Sequence, residues 1–255
     1  MRALFKWLIS IALLASFVVL AGSVGLLPLI SKTRRSLAIR LASFFSRIII
    51  RVLGVHVHVK HPERLRTMGD VSLIIANHVS YLDVLVLSSL VPSVFITSTE
   101  LRSTAVLGPL ARLSGCLFVE RRKPAGLKQE IGEIAFVLGQ GMPVALFPEG
   151  TTSNGDRVQP FKNSLFDAAV ATRADIIPIC LRYTRVNKEP LTADNRDSVF
   201  YYGGISFFKH LPRLLSLRSV DVEVLPLKRI VAHRDRTRKD LALLAHQELS
   251  AAYHG

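Results

Sequence analysis

An apolar run that stops at two polar residues is the feature of this sequence that most constrains the fold. Residues 71–76 are rich in Val and Ile, and Asn77 and His78 follow directly. Such a run is typical of a central strand buried on both faces of a sheet. An apolar helical pattern then covers residues 82–90. A buried strand leading straight into a helix predicts an α/β fold with a mostly parallel sheet, and it places His78 in the turn between them.

The chain after residue 54 continues this alternation. Strands are predicted at residues 55–59, 71–76, 93–97, 115–120, 143–147 and 175–183, with two weaker strands at 198–202 and 219–225. Helical spacing covers residues 82–90, 128–138, 164–172 and 206–216, and a capped helix is predicted to begin at residue 237. We therefore expect one α/β domain over residues 55–255, with helices flanking the sheet.

The N-terminus carries a long apolar segment. Residues 7–31 contain no charged side chain, and about 20 apolar residues suffice to span a bilayer. Arg2 and Lys6 precede the segment, as in a signal peptide, but the apolar run is too long and lacks a small-x-small cleavage site. We expect a retained transmembrane helix. A helix that lies in the membrane, or is re-entrant, is the alternative.

Residues 32–51 interleave five arginines with Leu, Phe and Ile. Arg40, Arg47 and Arg51 share one helix face, which is typical of an amphipathic helix at a membrane surface. The alternative is a helix of the globular core whose arginine face is solvated. These charges outnumber those before the apolar segment, so we expect a membrane anchor over residues 1–54 and the remaining chain on the cytoplasmic face, which in a bacterium means the inner membrane.

The formal net charge of +14, from 33 basic and 19 acidic residues, predicts an anionic partner. Nucleic acid and anionic lipid are the two candidates. The apolar segment favours the lipid bilayer, and the sequence contains no nucleic-acid motif, so no nucleic-acid partner is expected. Cys116 and Cys180 lie in apolar runs without metal-ligand spacing. We expect packing thiols rather than a disulfide, and no metal site.

Polar clusters follow three of the predicted strands. Asn77-His78 follows residues 71–76, Glu120-Arg121 follows residues 115–119, and Glu149 with its glycine- and hydroxyl-rich turn follows residues 143–147. The carboxyl ends of parallel strands lie at one edge of the sheet, where α/β proteins bind ligands. If the strands are parallel, the three clusters converge on one site.

His78 and Asp83 are the candidate catalytic pair. Ser80 and Asp83 have the spacing of a capping box, so Asp83 either only caps the helix or also contacts His78. If His78 lies outside the regular helix, Asp83 can accept from one ring nitrogen and leave the other as a general base. The alternative is a structural histidine.

The other two clusters carry candidate substrate contacts. Arg121 suits bidentate phosphate recognition, although a solvated charge run is the usual explanation of such a cluster. After Glu149, the glycines permit a tight turn whose hydroxyls and amides can bind oxyanions. An ordinary polar turn is the alternative, but it does not explain an acid at the strand end.

Four blocks of the chain, in order over residues 71–183, resemble one known family. They are Asn77-His78-x4-Asp83, Gly115-x-x-Phe118-x-x-Arg121, Phe147-Pro148-Glu149-Gly150-Thr151 and Ile177-Pro178-Ile179. They are similar to the motifs of the lysophosphatidic acid acyltransferase (1-acylglycerol-3-phosphate O-acyltransferase) family of HxxxxD glycerolipid acyltransferases.

The resemblance implies a cytosol-facing acyltransferase without a metal or a cofactor. It implies that His78 deprotonates a lysophospholipid hydroxyl, which attacks the thioester of acyl-CoA or acyl carrier protein, and that Asp83 orients His78. The implied acceptor is 1-acylglycerol 3-phosphate, giving phosphatidic acid. The residues expected to bind substrate are Asn77, Arg121, Glu149, Gly150, Thr151 and Thr152.

One departure from the family pattern bears on the acceptor. Many members have Arg after the Glu-Gly-Thr triplet, where this chain has Thr152. A phosphate contact is then missing, or is supplied by Arg157, Lys162 or a hydroxyl. The Thr-Thr-Ser version also resembles bacterial members that acylate other lysolipids, including lyso-ornithine lipid. The second hypothesis is therefore the same chemistry on lyso-ornithine lipid or another lysophospholipid. A His/Asp hydrolase is disfavoured because no GxSxG motif is present, and a non-enzymatic lipid-binding protein leaves the ordered motifs unexplained.

Overall fold

The central strand β2 (Ser72–Ala76) is buried along its whole length, as its apolar sequence predicts. The computed structural model describes residues 2–69, 71–120, 126–233 and 235–255. In these ranges the remaining strands are β1 (Val55–Val59), β3 (Val94–Ser98), β4 (Leu117–Val119), β5 (Val144–Leu146), β6 (Asp175–Val186), β7 (Glu189–Pro190) and β8 (Val220–Pro226).

The helices of the described residues lie between these strands and before them. They are α1 (Arg2–Leu26), α2 (Ser31–Leu53), α3 (Glu63–Arg66), α4 (Leu82–Leu90), α5 (Thr99–Arg102), α6 (Leu107–Leu113), α7 (Leu127–Gly139), α8 (Asp167–Thr172), α9 (Phe207–Ser216) and α10 (Arg238–His254). The predicted α/β alternation is confirmed, and α10 begins with the predicted capping box, in which Thr237 and Asp240 bond each other's backbone N–H groups.

The sheet has the order β1-β8-β6-β2-β5-β3-β4, with β7 paired to β6. The run from β6 to β4 is parallel, whereas β8 pairs antiparallel with β6 and β1 pairs parallel with β8. The mostly parallel sheet is therefore confirmed. Because β2 and β5 are parallel neighbours, the residues that follow them meet at one edge.

The alternating side chains of β2 enter two separate cores. Ile74 packs with apolar residues of α4 and α9, whereas Leu73 and Ile75 pack with residues of α7, α8 and α10. Burial on both faces explains why β2 reads as a continuous apolar run rather than as an alternation. It also fixes the end of β2 rigidly, so the turn that follows starts from a defined point.

The weak strand predicted at residues 198–202 is wrong. Residues 196–198 form a 3-10 helix, and the next residues run as irregular chain. Val199 and Phe200 are buried, which gives the segment its strand-like composition. The Tyr201 N–H donates to the Val79 carbonyl at 2.8 Å, and the Ser80 hydroxyl donates to the Val199 carbonyl at 2.7 Å. The segment thus covers the turn after β2 instead of joining the sheet.

Helices α1 and α2 form an antiparallel hairpin. The rings of Phe17 and Phe45 lie 5.5 Å apart, and the turn at residues 27–30 connects the helices. Ile50 and Leu53 of α2 belong to the same core as α4, so α2 packs on the α/β domain while Arg40 and Arg47 stay exposed. Ala3–Leu26 is long and apolar enough to cross a membrane.

Lys6 ties the start of α1 to the domain. Its ammonium donates to the carbonyls of Leu53, at 2.6 Å, and Leu217, at 2.7 Å. These carbonyls lie at the C-terminal ends of α2 and α9, where helices carry partial negative charge. Lys6 is buried, so α1 is attached to the domain at its first turns as well as along α2.

Candidate active site

Asn77 joins the end of β2 to β6. Its side-chain amide donates to the Leu181 carbonyl at 2.9 Å and accepts from the Leu181 N–H at 2.8 Å. The side chain thereby continues the strand pairing one residue beyond β2. Both polar ends of this buried amide are engaged by backbone, so the geometry favours a structural role for Asn77 over the predicted contact with substrate.

His78 lies outside helix α4 and contacts Asp83. Its Nδ1 is 2.8 Å from Asp83 Oδ2, and the carboxyl group is fully buried. Because an ionised carboxylate only accepts hydrogen bonds, the contact places the imidazole proton on Nδ1. Nε2 has no hydrogen-bond partner among the described residues and is then the acceptor. The predicted contact between the His78 and Asp83 side chains is therefore present.

The turn after β2 holds Asp83 through its backbone. Asp83 Oδ2 also accepts from the N–H groups of Val79, at 2.8 Å, and Ser80, at 2.9 Å. This is one half of the predicted capping box. The other half is missing, because the Ser80 hydroxyl, which donates to the Val199 carbonyl, accepts from the Leu82 N–H at 3.3 Å and not from the Asp83 N–H. Asp83 therefore both caps the turn and contacts His78.

Tyr183 contacts Asp83, and the sequence analysis did not predict this contact. Its hydroxyl donates to Asp83 Oδ1 at 2.7 Å. A signal was present, since Tyr183 continues the every-second-residue series of Ile177, Ile179 and Leu181 on the face of β6 that joins the core. A hydroxyl at the carboxyl end of an apolar strand face has to find a partner when it is buried.

Phe147 fixes the plane of the His78 ring. The two rings stack with centroids 3.9 Å apart and an interplanar angle of 11°. The His78 side chain is 18% exposed, whereas Asp83 is fully enclosed. The imidazole is thus held on one face and by one nitrogen, and it remains accessible to a ligand.

Glu149 connects the β5 turn to the β2 turn. Its Oε1 accepts from the His78 N–H at 2.6 Å and its Oε2 from the Gln159 N–H at 2.9 Å. Burial raises the pKa of Glu149 to about 7; the two backbone hydrogen bonds oppose that rise, and the nearby Asp83 charge adds to it. Both carboxyl oxygens accept from backbone and the side chain is buried, so the geometry favours a role in placing His78, while the direct contact with substrate stays a prediction.

The turn after Glu149 is shaped by glycine and lined by hydroxyls. Gly150 has φ +77°, and a Cβ there would lie 3.0 Å from the Lys162 amine. The Lys162 side chain therefore lies against the turn at Gly150, the residue before the predicted Thr151 and Thr152. Thr151 is exposed and Thr152 partly so. Lys162 is a cation at the position where a substrate contact is expected; Arg121, the other predicted cation, lies outside the described residues.

The segment after this turn is fastened to the site. The Ser153 N–H donates to the His78 carbonyl at 3.0 Å, and the Tyr253 hydroxyl donates to the Gly155 carbonyl at 2.8 Å. Gly155 has φ +77°, and a Cβ there would overlap the Phe200 ring. The chain after β5 therefore supports the His78 turn from the side opposite to β6.

The pKa of Glu149 gives an expected pH dependence of stability. Because it is raised from 4.5 to about 7, the folded state binds the proton more tightly than the unfolded state between these values. We expect the free energy of unfolding to fall by up to about 3 kcal/mol from pH 4.5 to pH 7 through this group, and to level off above pH 7. Glu149→Gln has no such charge and should lose this slope.

Unfolding transitions of both proteins at pH 5, 6, 7 and 8 test this expectation. Glu248→Gln, at an exposed position of α10, is the matched control and should follow the unsubstituted protein. Parallel pH profiles of Glu149→Gln and the unsubstituted protein would contradict the raised pKa. The quantity to compare is the slope of the free energy of unfolding against pH. Its absolute value is lower in Glu149→Gln at every pH, because the new amide opposes one of the two backbone N–H donors.

Comparison with known proteins identifies the family. A family model described as Acyltransferase matches residues 56–182, which include His78, Asp83 and Glu149. The lyso-ornithine lipid O-acyltransferase of Brucella abortus (strain 2308) is 34% identical over 87% of this chain and 86% of its own length. This chain belongs to the acyltransferase family. The resemblance drawn from the four motifs is thereby confirmed.

Two further similar proteins are named for a different acceptor, 1-acylglycerol 3-phosphate. The 1-acyl-sn-glycerol-3-phosphate acyltransferase of Neisseria meningitidis serogroup B (strain ATCC BAA-335 / MC58) is 33% identical over 54% of this acyltransferase and 53% of its own length. The crystal structure of the 1-acyl-sn-glycerophosphate (LPA) acyltransferase PlsC from Thermotoga maritima has a TM-score of 0.66 at 18% identity, covering 99% of this chain and 93% of its own. The structural match confirms the fold.

Proposed function

We propose that this acyltransferase moves an acyl group from a thioester to the hydroxyl of a lysolipid, with His78 as the general base. The observation that carries the proposal is the His78–Asp83 pair, in which Nδ1 is held at 2.8 Å by a buried carboxylate while Nε2 stays available. Nε2 takes the proton of the acceptor hydroxyl as its oxygen attacks the thioester carbonyl. The thiolate then leaves with the electron pair of the C–S bond, and the imidazolium returns the proton to it.

The surroundings of the pair suit a positive charge formed during the reaction. Asp83 is close enough to stabilise the imidazolium, and the N–H groups of Val79 and Ser80 keep its carboxylate oriented. The pair needs no nucleophilic side chain, since the acceptor hydroxyl itself attacks. The donor is a thioester of coenzyme A or of acyl carrier protein, and no metal or cofactor takes part in these steps.

For the acceptor we favour lyso-ornithine lipid over 1-acylglycerol 3-phosphate. Thr152 stands where many phosphatidic-acid-forming members have Arg, and an ornithine head group carries no phosphate to be neutralised. Two relatives that align over most of this chain, from Brucella abortus (strain 2308) and Rhizobium meliloti (strain 1021), carry the name lyso-ornithine lipid O-acyltransferase, at 87% and 80% coverage. This reverses the order of the two acceptors expected from the motifs alone.

The hairpin of α1 and α2 supports a place at the membrane. Leu4, Phe5, Leu8 and Ile11 are exposed on the side of α1 away from α2, whereas Lys6 is buried against the domain. A helix fastened to the domain along its length favours the alternative expectation, a helix lying in the membrane, over one that crosses it. The exposed arginines of α2 then lie near lipid phosphates. We also propose that the α/β domain lies on the cytoplasmic face of the membrane.

An acceptor panel tests the proposed function. Purified protein in detergent is given labelled acyl-CoA or acyl carrier protein with lyso-ornithine lipid or 1-acylglycerol 3-phosphate. We expect kcat/KM for lyso-ornithine lipid to exceed that for the phosphate acceptor by about tenfold or more, since one charge-assisted phosphate contact is worth roughly that factor. A higher kcat/KM for 1-acylglycerol 3-phosphate would contradict this preference and would make the phosphate lipid the proposed acceptor. Release of free fatty acid at the same rate without any acceptor would indicate a hydrolase.

A further inference from the structure

The carboxylate of Asp83 has its hydrogen bonds divided unevenly between its two oxygens. Oδ2 accepts from His78 Nδ1 and from the N–H groups of Val79 and Ser80, at 2.8 to 2.9 Å. Oδ1 accepts from the Tyr183 hydroxyl at 2.7 Å. All three donors to Oδ2 come from the turn that carries His78, so Tyr183 brings the contact from a different element of the fold.

The sheet places Tyr183 at this position. Strand β6 extends beyond the last residue of β2, and the side chain of Asn77 holds Leu181 in that extension through two hydrogen bonds. Tyr183 follows Leu181 by two residues and therefore lies on the same face of β6. Its ring packs edge-on against Phe200 at 5.7 Å, and the residue is buried.

We propose that Tyr183 is a positioning residue for acyl transfer, because its hydroxyl fixes the second oxygen of Asp83 and thereby the orientation of the carboxylate that holds His78. The proposal rests on the general-base role of His78 proposed above. With Tyr183 in place, both carboxylate oxygens have a partner, and rotation about the Cβ–Cγ bond would break both sets of contacts. Without it, a buried carboxylate oxygen loses its side-chain donor.

Tyr183 remains a donor under working conditions. Burial raises the pKa of Tyr183 well above its usual value, and the charge and hydrogen bond of Asp83 raise it further. The other titratable groups around this buried pair are His78, which contacts Asp83 directly, Tyr81 and Tyr253, which interact with Tyr183, and Glu149, which interacts with Asp83. Each lies on a segment other than β6, so a change at Tyr183 leaves their own backbone contacts intact.

The substitution Tyr183→Phe removes the hydroxyl and keeps the ring. We expect kcat to fall by about 10- to 100-fold, since a hydrogen bond to a charged group corresponds to roughly that factor. KM for either substrate should stay within about twofold, because Tyr183 touches Asp83 and not the substrate.

Tyr202→Phe is the matched control. Tyr202 also donates to a carboxylate, that of Asp197, at 2.7 Å, but at an exposed position. Its kinetics and pH profile should equal those of the unsubstituted protein. In a cycle with Asp83→Asn, Tyr183→Phe should add nothing further, since its effect passes through Asp83.

Measuring His78→Ala alongside separates this proposal from the proposed function. A lower kcat in Tyr183→Phe at unchanged KM and unchanged folded fraction supports the positioning role. If His78→Ala abolishes transfer while Tyr183→Phe loses activity only in proportion to folded protein, the positioning role is overturned and the general base stands. If His78→Ala keeps its activity, the proposed function fails and the positioning role fails with it. Full additivity of Tyr183→Phe with Asp83→Asn would overturn the positioning role as well.

Discussion

Replacing His78 by alanine is expected to lower kcat by about 10²- to 10⁴-fold, which is the range that a positioned general base contributes. The ring is 18% exposed at its edge and is stacked on Phe147 rather than enclosed. The free energy of unfolding should therefore change by no more than about 1 to 2 kcal/mol. Initial rates with labelled acyl donor, together with unfolding transitions, measure both quantities.

A surface histidine provides the control for this substitution. His58 on β1 also contacts a carboxylate, that of Asp221, at 3.1 Å, but it is more than half exposed. His58→Ala should keep full activity. If His78→Ala retained more than about a tenth of the activity, the expected range for a general base would not be reached and His78 would lose its assigned role.

The substitution Asp83→Asn is expected to be as severe, with kcat lower by about 10³- to 10⁴-fold. An asparagine amide can present its NH2 group to His78 and so stabilise the wrong tautomer, with the proton on Nε2. If the NH2 group takes the place of Oδ2, it opposes the N–H groups of Val79 and Ser80. If it takes the place of Oδ1, it opposes the Tyr183 hydroxyl. We therefore expect stability to fall by about 1 to 3 kcal/mol as well.

Activity at several pH values and unfolding transitions distinguish these two effects. Asp221→Asn, which alters the partner of the exposed His56 and His58, should leave activity unchanged. Activity of Asp83→Asn close to that of the unsubstituted protein would mean that Asp83 serves only as a helix cap.

The local part of the site was predictable because its causes are local. The buried strand β2, the polar pair Asn77-His78 and the apolar helix α4 follow one another in the sequence, and each has its own pattern. The approach of Glu149 to His78 followed from one further assumption, that the strands are parallel. Since β2 and β5 are parallel neighbours, the residues after them have to be close.

The remaining contacts depend on register and packing. The 2.7 Å contact of Tyr183 with Asp83 requires β6 to extend beyond β2, which no pattern in β6 alone reveals. Val199 and Phe200 have the composition of a strand, but the Val199 carbonyl accepts from the Ser80 hydroxyl and the next residue, Tyr201, donates to the Val79 carbonyl, so this segment contacts a turn instead. The backbone partners of Asn77 and Glu149 were unpredictable for the same reason. Their motif positions are those expected, but backbone groups from distant segments occupy their polar atoms.

The Lys6 contacts have a consequence for the order in which the chain assembles. Helix α1 is synthesised before helix α9, yet the Lys6 ammonium at its start binds the carbonyl of Leu217, which is made much later. The helix therefore cannot reach its final place until synthesis has passed residue 217. During that interval its apolar side chains have no domain to pack on, and a nearby bilayer is the available apolar environment. Membrane contact can thus precede the folding of the sheet, and closure of α1 on the domain becomes a late step of maturation.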